Sequence, residues 1–376
     1  PWTVPRSAGW EAPTPPACHP ARFGETSRRA PADRGTVEGR ADGVGIVSAT
    51  GSAERTMADH RDDDSGRGPT GFHHQPVMVE EVLAALADVP GGVVLDATVG
   101  GGGHTEAILE FRVDLRVVGL DRDDQALAAT ERRLSGFGDR IQLRRSAFID
   151  LGGVLDEMAI DGLAGFLFDL GVSSPQLDHA ERGFSYRDAG PLDMRMDRRQ
   201  SLTAADVVNC YDERALTRIL IDNADERHAR RIARAVIAAR PVADTAHLAE
   251  VVRDAIPAPA RRRGGHPAKR TFQAIRIEVN SELEQLADSL EEAIGRLVAG
   301  GRGAVLSYHS GEDRIVKRCF DMAATGGCTC PPRLPCACGA TPLAVLPRRS
   351  GRVPGVGEAA ANPRAASARM RVLERR

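Results

Sequence analysis

VVLDATVGGGGHT, from Val93 to Thr105, is the stretch on which the reading of the chain turns. Val93, Val94 and Leu95 form a short β-branched and apolar run, the pattern of a parallel strand buried on both faces. Four glycines follow, Gly100 to Gly103. Without a Cβ, such a loop turns sharply and lets a ligand touch its backbone. The helix predicted behind it offers unpaired N–H groups and a positive dipole end to an anionic or polar group. A second apolar run, VVGLD, ends at Asp121, about twenty residues on, where strand–helix nucleotide-binding units place an acid for ribose hydroxyls. The loop reads GGGGH rather than GxGxxG, and glycine runs also make plain turns. The combination of strand, glycines, helix, strand and acid outlines a nucleoside-cofactor site.

Outward from this unit, Val79, Val82, Leu83 and Leu86 fall at helical spacing ahead of the first strand. DDQALAATERRL predicts a helix, IQLRRSAF a third strand ending near Phe148, and GLAGFLFDLGVSSPQL a fourth ending at Asp169. This alternation predicts an α/β fold with a doubly wound parallel sheet, ligands lying at the carboxyl ends of the strands. Gly100, Asp121, Phe148 and Asp169 all fall at such ends. Beyond Pro175 the text turns helical and charged, and the sheet pattern resumes only with SELEQLADSLEEAIGRLVAGG and the strand GAVLSYHS. Ser281 and Glu284 read as a capping box there, and Leu283, Leu286, Leu290 and Leu297 as a buried stripe. ARMRVLER reads as an edge strand. The expected division is a disordered extension over 1–70, a sheet domain over 71–178, an inserted helical domain over 179–271, and the remainder of the sheet domain over 272–376.

Composition bounds function loosely. A net charge of −2 announces no nucleic acid, and only Lys269 and Lys317 are lysines among 50 basic residues, a genomic base bias. The first seventy or so residues are too polar to offset their ordering entropy; Met57, ahead of the acidic run Asp62 to Asp64, reads as the initiator. No apolar run approaches the roughly 18 to 20 residues that span a bilayer, and no signal-peptide core opens the chain. A cytoplasmic protein is expected, with no membrane partner and with a homodimer admitted.

LDATVGGGGHT, DLGVSSPQLDHAERGFSYRDAGPLDMRMD, ERHARRIARAV, HPAKRTFQAIRIEVNSELE, SYHSGEDRIVKR and NPRAASARMRVLER resemble, in order, the signatures of the ribosomal RNA small-subunit methyltransferase H family, also called MraW. The resemblance runs from about Phe72 to the C-terminus and is far more specific than a glycine loop. It implies a Rossmann-like class I methyltransferase sheet with an inserted helical domain, S-adenosylmethionine as cofactor, and transfer of its methyl to N4 of a cytidine in the decoding region of small-subunit (16S) rRNA, free or in the 30S particle. By this similarity Gly102, Gly103 and His104 line the methionine end of the cofactor, Asp121 binds the ribose, Phe148 flanks the adenine, and Asp169 and Gln176 complete the site. The rival readings are a same-fold methyltransferase acting on a protein or small molecule, and a non-catalytic RNA-binding assembly factor.

The chemistry asks mainly for placement, because the sulfonium already carries an activated methyl. Cytosine N4 is a poor nucleophile, its lone pair being delocalised into the ring; an acceptor for an N4–H bond localises that pair. Asp169 is the candidate acceptor. DLGVSS departs from the Asp/Asn-Pro-Pro-aromatic motif of DNA amino-methyltransferases, and that leaves the acceptor open. Phe184 or Tyr186 would stack an extruded base, and His309 follows the fifth strand toward the same crevice, there to position the target or make a structural hydrogen bond. Arg227, Arg231 and Arg234, with Arg230, cluster at helical spacing; Lys269 and Arg270 lie with Arg261 to Arg263 around a Gly-Pro-rich loop. Both groups are expected to bind RNA phosphates, against the bland reading of a solvated face. Cys210 and Cys319 read as isolated buried thiols. Cys328, Cys330, Cys336 and Cys338 invite zinc, yet structural zinc prefers a CxxC knuckle to the tighter CxC, so reduced thiols without metal are expected.

Overall fold

Val93, Val94 and Leu95 do lie in a strand, β1 (Gly92–Asp96), and it sits at the centre of the parallel part of the sheet. The computed structural model describes residues 76–262, 265–331, 337–347, 351–362 and 365–376. The extension expected to be disordered lies outside them, as do Met57, Arg263 and Cys336. On one side β1 pairs in parallel with β2 (Leu115–Asp121), which pairs with β3 (Ile141–Arg145); on the other it pairs with β4 (Leu163–Asp169), which pairs with β5 (Leu297–Ser307). Two two-residue strands, β6 (Ala344–Val345) and β7 (Gly351–Arg352), precede β8 (Arg369–Arg375). The strand order is β3-β2-β1-β4-β5-β8-β6, with β7 also on β8. β8 runs antiparallel to β5 and has β6 and β7 on its other side, so the edge strand expected from ARMRVLER is an internal one.

Period-two side-chain alternation explains the uninterrupted apolar runs. Val94, Val117 and Leu167 face α1 (Val79–Leu86) and α2 (Gly103–Phe111). Leu95, Val118, Phe166 and Phe168 face the other way. There they meet Leu151 and Leu155 of a further helix, with Leu290 and Phe320 from beyond the insertion. Between β2 and β3 runs α3 (Asp124–Leu134), and that further helix, α4 (Leu151–Glu157), follows β3. β3 ends at Arg145, short of Phe148, which opens a 3-10 turn instead.

After α5 (Ser174–Asp178), the described residues between β4 and β5 form no strand. α6 (Ala204–Cys210), α7 (Glu213–Asp222), α8 (Ala229–Ala238), α9 (Thr245–Ala255), α10 (Ala258–Arg261) and α11 (Lys269–Asn280) follow. They bury their own core, with Val207, Ile219, Ile232, Leu248, Phe272 and Ile275 among its members. Ser281 joins α11 to α12 (Glu282–Arg296) in a left-handed conformation (φ 50°, ψ 36°) and makes no side-chain cap. The capping box expected of Ser281 and Glu284 is therefore absent, because the tight inter-helix turn dictates the backbone that a cap would need extended. α13 (Ser310–Thr325) follows β5. Cys210 is disulfide-bonded, not the isolated thiol expected, whereas Cys319 is a partly buried thiol.

Candidate active site at the strand ends

The chain order reverses between β1 and β4, the point of such a sheet at which loops leaving the strands diverge and ligands bind. Four glycines make the loop after β1. Gly102 has φ +78°, and a Cβ on it would come 2.9 Å from Thr130 Cγ2; one on Gly103 would come 2.4 Å from Pro76 Cγ. Gly102 is also the N-cap of α2 and supplies no capping side chain, so the first turn presents bare N–H groups. Asp121, at the end of β2, accepts the Gly100 N–H (2.9 Å) and the Asp123 N–H (2.8 Å), tying the loop to β2. Burial pushes its carboxyl up to about 6 against those two N–H bonds. A carboxylate has about four acceptor positions, so two remain for hydroxyl donors. Bare backbone beside such an acid fits a cofactor carrying a ribose and an amino-acid end.

Asp169, at the end of β4, is the meeting point of three segments. Its N–H donates to Thr98 Oγ1 (2.7 Å) from the β1 loop, and its Oδ1 accepts the Tyr308 hydroxyl (2.6 Å) from beyond β5. Its Oδ2 lies 3.5 Å from His104 Nδ1, with the carboxylate side chain 26% exposed. Burial, then the charge of Asp169, drives the Tyr308 hydroxyl far above its ordinary value, so it stays a proton donor. His104 Nε2 lies 2.8 Å from the Val77 carbonyl, an oxygen that can only accept. Nε2 therefore carries a proton and Nδ1 turns toward the carboxylate. Below this group Asp96, the last residue of β1, accepts the Thr105 hydroxyl (2.7 Å), and burial raises its carboxyl too.

Gln176 is buried, its Oε1 accepting the Ser173 N–H (3.1 Å) and its Nε2 donating to Asp123 Oδ2 (3.0 Å). The same Asp123 oxygen takes a 2.8 Å bond from buried Arg182, whose other nitrogen donates to the Arg195 carbonyl. Asn280 closes this linkage, donating to the Met194 carbonyl and accepting the Met196 N–H, each at 2.8 Å. Asp123, Arg182 and Asn280 thus couple the cofactor-side loops to the helical segment. Phe148 is buried against Phe168, with Arg122 over its ring at 5.4 Å. Phe184 belongs to the helical core, and Tyr186 stacks on His266 at 4.4 Å. The Phe184 ring is buried and closed to a base, whereas Tyr186 is half-buried with His266 stacked on its ring.

His309 does not join Asp169. Its Nδ1 accepts the Glu312 N–H and its Nε2 lies 3.1 Å from Glu312 Oε1, capping α13. The neighbouring Tyr308 reaches the crevice instead. Tyr308 and Asp96 are the residues that sequence reasoning missed. Asp96 ends a strand as Asp121 and Asp169 do, and that rule would have found it. Arg231 and Arg234 lie on the exposed face of α8 opposite Ala229, Ile232 and Val236, and Arg227 is exposed in the turn before it. Arg234 pairs with Glu213 (2.8 Å), and exposed Arg270 donates to the Asp225 carbonyl (2.6 Å) beside exposed Lys269.

A 3-2-1-4-5 parallel sheet extended by an antiparallel strand, with carboxylates and a glycine loop at its switch point, defines a class I methyltransferase dependent on S-adenosylmethionine. Residues 71–376 match the model of the MraW methylase family, and the chain belongs to that family. It is 50% identical over 333 residues to the ribosomal RNA small subunit methyltransferase H of Thermobifida fusca (strain YX), covering 87% of this chain and 98% of that one. The protein of that name from Frankia alni is 51% identical over 310 residues, 80% of this chain and 95% of its own. The one from Heliobacterium modesticaldum is 50% identical over 310 residues, 81% and 99%.

Proposed function

We propose that the chain methylates N4 of a cytidine in the decoding region of small-subunit rRNA, acting in the cytoplasm on the RNA or its 30S particle. The names of its relatives support the rRNA. The observation that carries the nitrogen chemistry is the part-exposed Asp169 carboxylate, held at the crevice between Tyr308 and His104. S-adenosylmethionine supplies the electrophilic methyl. Gly102, Gly103 and His104 take its amino-acid end, Asp121 its ribose hydroxyls, and Phe148 and Gln176 shape the adenine side.

Asp169 then acts on the target base. Oδ1 accepts the Tyr308 hydroxyl, and Oδ2, the oxygen toward His104, is the one assigned to accept an N4–H bond and localise the nitrogen lone pair. On transfer the methyl would leave the sulfonium, which departs as a neutral thioether, and the proton shed by N4 would pass to Asp169 Oδ2, which lies 3.5 Å from His104 Nδ1. His309 acts at one remove, fixing the start of α13 and with it the backbone of Tyr308. Residues 179–271 form the substrate-recognition part, with Arg227, Arg231, Arg234, Lys269 and Arg270 toward phosphates. The test is transfer of labelled methyl to small subunits stripped of this modification, followed by mapping of the base. Label on a ring carbon, a ribose or a protein would overturn the reading.

A further inference from the structure

Between α13 and β6 the chain makes an excursion that burial cannot explain. Among its described residues from Gly327 to Leu343 not one is buried. Its two arms nevertheless meet closely: a Cβ on Gly326 would come 2.6 Å from the Thr341 backbone, and the Leu343 N–H donates to the Ala323 carbonyl (2.9 Å). A chain segment of this size without a core needs another staple, such as a disulfide or a metal. No disulfide joins Cys328, Cys330 and Cys338. Their three sulfurs instead lie within 4.8 Å of one another, Cys338 coming from the opposite arm. Sulfurs on a tetrahedral zinc, at about 2.3 Å from the ion, sit about 3.8 Å apart. The observed spacing closes to that by side-chain rotation. The Cys330 sulfur also takes hydrogen bonds from the backbone of Ala337 and Cys338, the polar setting a thiolate requires.

We propose that Cys328, Cys330 and Cys338 bind one zinc ion as thiolates, fastening the two arms of the excursion beside the end of α13. The tight CxC spacing, which argued against metal, loses its force once the third sulfur arrives from the other arm. Soft thiolates select zinc, copper(I) or iron–sulfur clusters over magnesium or calcium; zinc fits isolated sulfurs converging on one point, with one tetrahedral position left for a further donor. Binding displaces the three thiol protons to solvent, so affinity rises with pH. The site lies apart from the Asp169 crevice and rests on nothing said of the reaction.

The experiment measures metal in the full chain, expressed with zinc and purified without chelator. About one zinc per chain is expected. Cys330→Ser and the Cys328→Ser/Cys338→Ser pair should retain less than a tenth of it, while Cys319→Ser keeps it all. Cobalt exchanged into the wild-type chain should show sulfur-to-metal charge transfer. Chelation should expose the segment from Gly327 to Leu343 to protease while S-adenosylmethionine binding persists. Zinc undiminished in Cys330→Ser, an iron–sulfur absorbance, or a metal-free chain whose cobalt titration shows no thiolate band would each overturn the proposal. Because the last of these uses the unmutated chain, misfolding of a variant does not shelter it.

Discussion

At Asp169 one oxygen accepts a phenol and the other faces an imidazole, and substitution separates the proposed role in chemistry from a role in holding cofactor. Asp169→Asn keeps the shape and removes the acceptor. Turnover is expected to fall by roughly 10² to 10⁴, the usual worth of general-base assistance, with S-adenosylmethionine affinity changing far less. Single-turnover methyl transfer beside calorimetry separates the two; an equal drop in both would make Asp169 a cofactor residue. Asp121 yields a pH dependence. Its folded-state value of about 6 exceeds the ordinary carboxylate value of about 4, so the folded chain holds this proton more tightly than the unfolded chain. Its contribution to stability is therefore full below pH about 4 and lost as pH rises through 6. Ribose hydroxyls need the ionised acceptor, so cofactor affinity should climb by up to about tenfold per pH unit toward pH 6 and then level off. Calorimetry across pH 5 to 8 checks this, and an equally steep profile in Asp121→Asn would remove the assignment.

The elements behave as their residues dictate, with informative exceptions. Strands β1, β2 and β4 were legible because apolar runs buried on both faces have few alternative readings. Tyr308 was not, since SYHS offers two ring residues at a strand end and only the path of the chain into α13 decides which one turns inward. DRDD after β2 reads as a helix start, and Asp123 is indeed the N-cap of α3, its Oδ1 accepting the Gln125 N–H. Nothing local reveals that its other oxygen gathers Gln176 and Arg182 from more than fifty positions away. The buried Arg182–Asp123 pair makes Arg182→Ala costly, because it strands a charge; a loss of about 3 to 5 kcal/mol is expected in urea unfolding. Gly103→Ala drives a methyl into Pro76. The displaced Pro76–Val77 segment carries the carbonyl that orients His104. We expect about 1 to 3 kcal/mol of destabilisation from the overpacking and weakened cofactor binding; unchanged affinity in calorimetry would show that the loop yields without moving His104.

Taken whole, the molecule joins a sheet with a cofactor site to a helical segment that carries its own core, and substitutions can address the two separately. Replacing Arg227, Arg231 and Arg234 together by Gln should weaken RNA binding and flatten its salt dependence by up to about 2 units, at roughly 0.7 per single-stranded phosphate. Cofactor affinity should stay as it was. The Glu213 partner of Arg234 tempers that residue's share. A triple variant with unaltered salt slope would shift attention to Lys269 and Arg270. The insertion also bears on how the chain acquires its shape. β4 and β5 are neighbours in the sheet but stand on either side of the whole helical segment, so their pairing closes the longest loop inside the sheet. Closure entropy grows slowly with length, and a segment that has already collapsed on its own core brings the strand ends together at little further loss. The order of events then follows: the helices gain protection first and the β4–β5 seam last. In pulse-labelled hydrogen exchange during refolding, amides of α7 and α8 should be shielded before those of β5. The segment proposed for recognition in the finished protein would thus serve, earlier in its life, as the clasp that lets the sheet close.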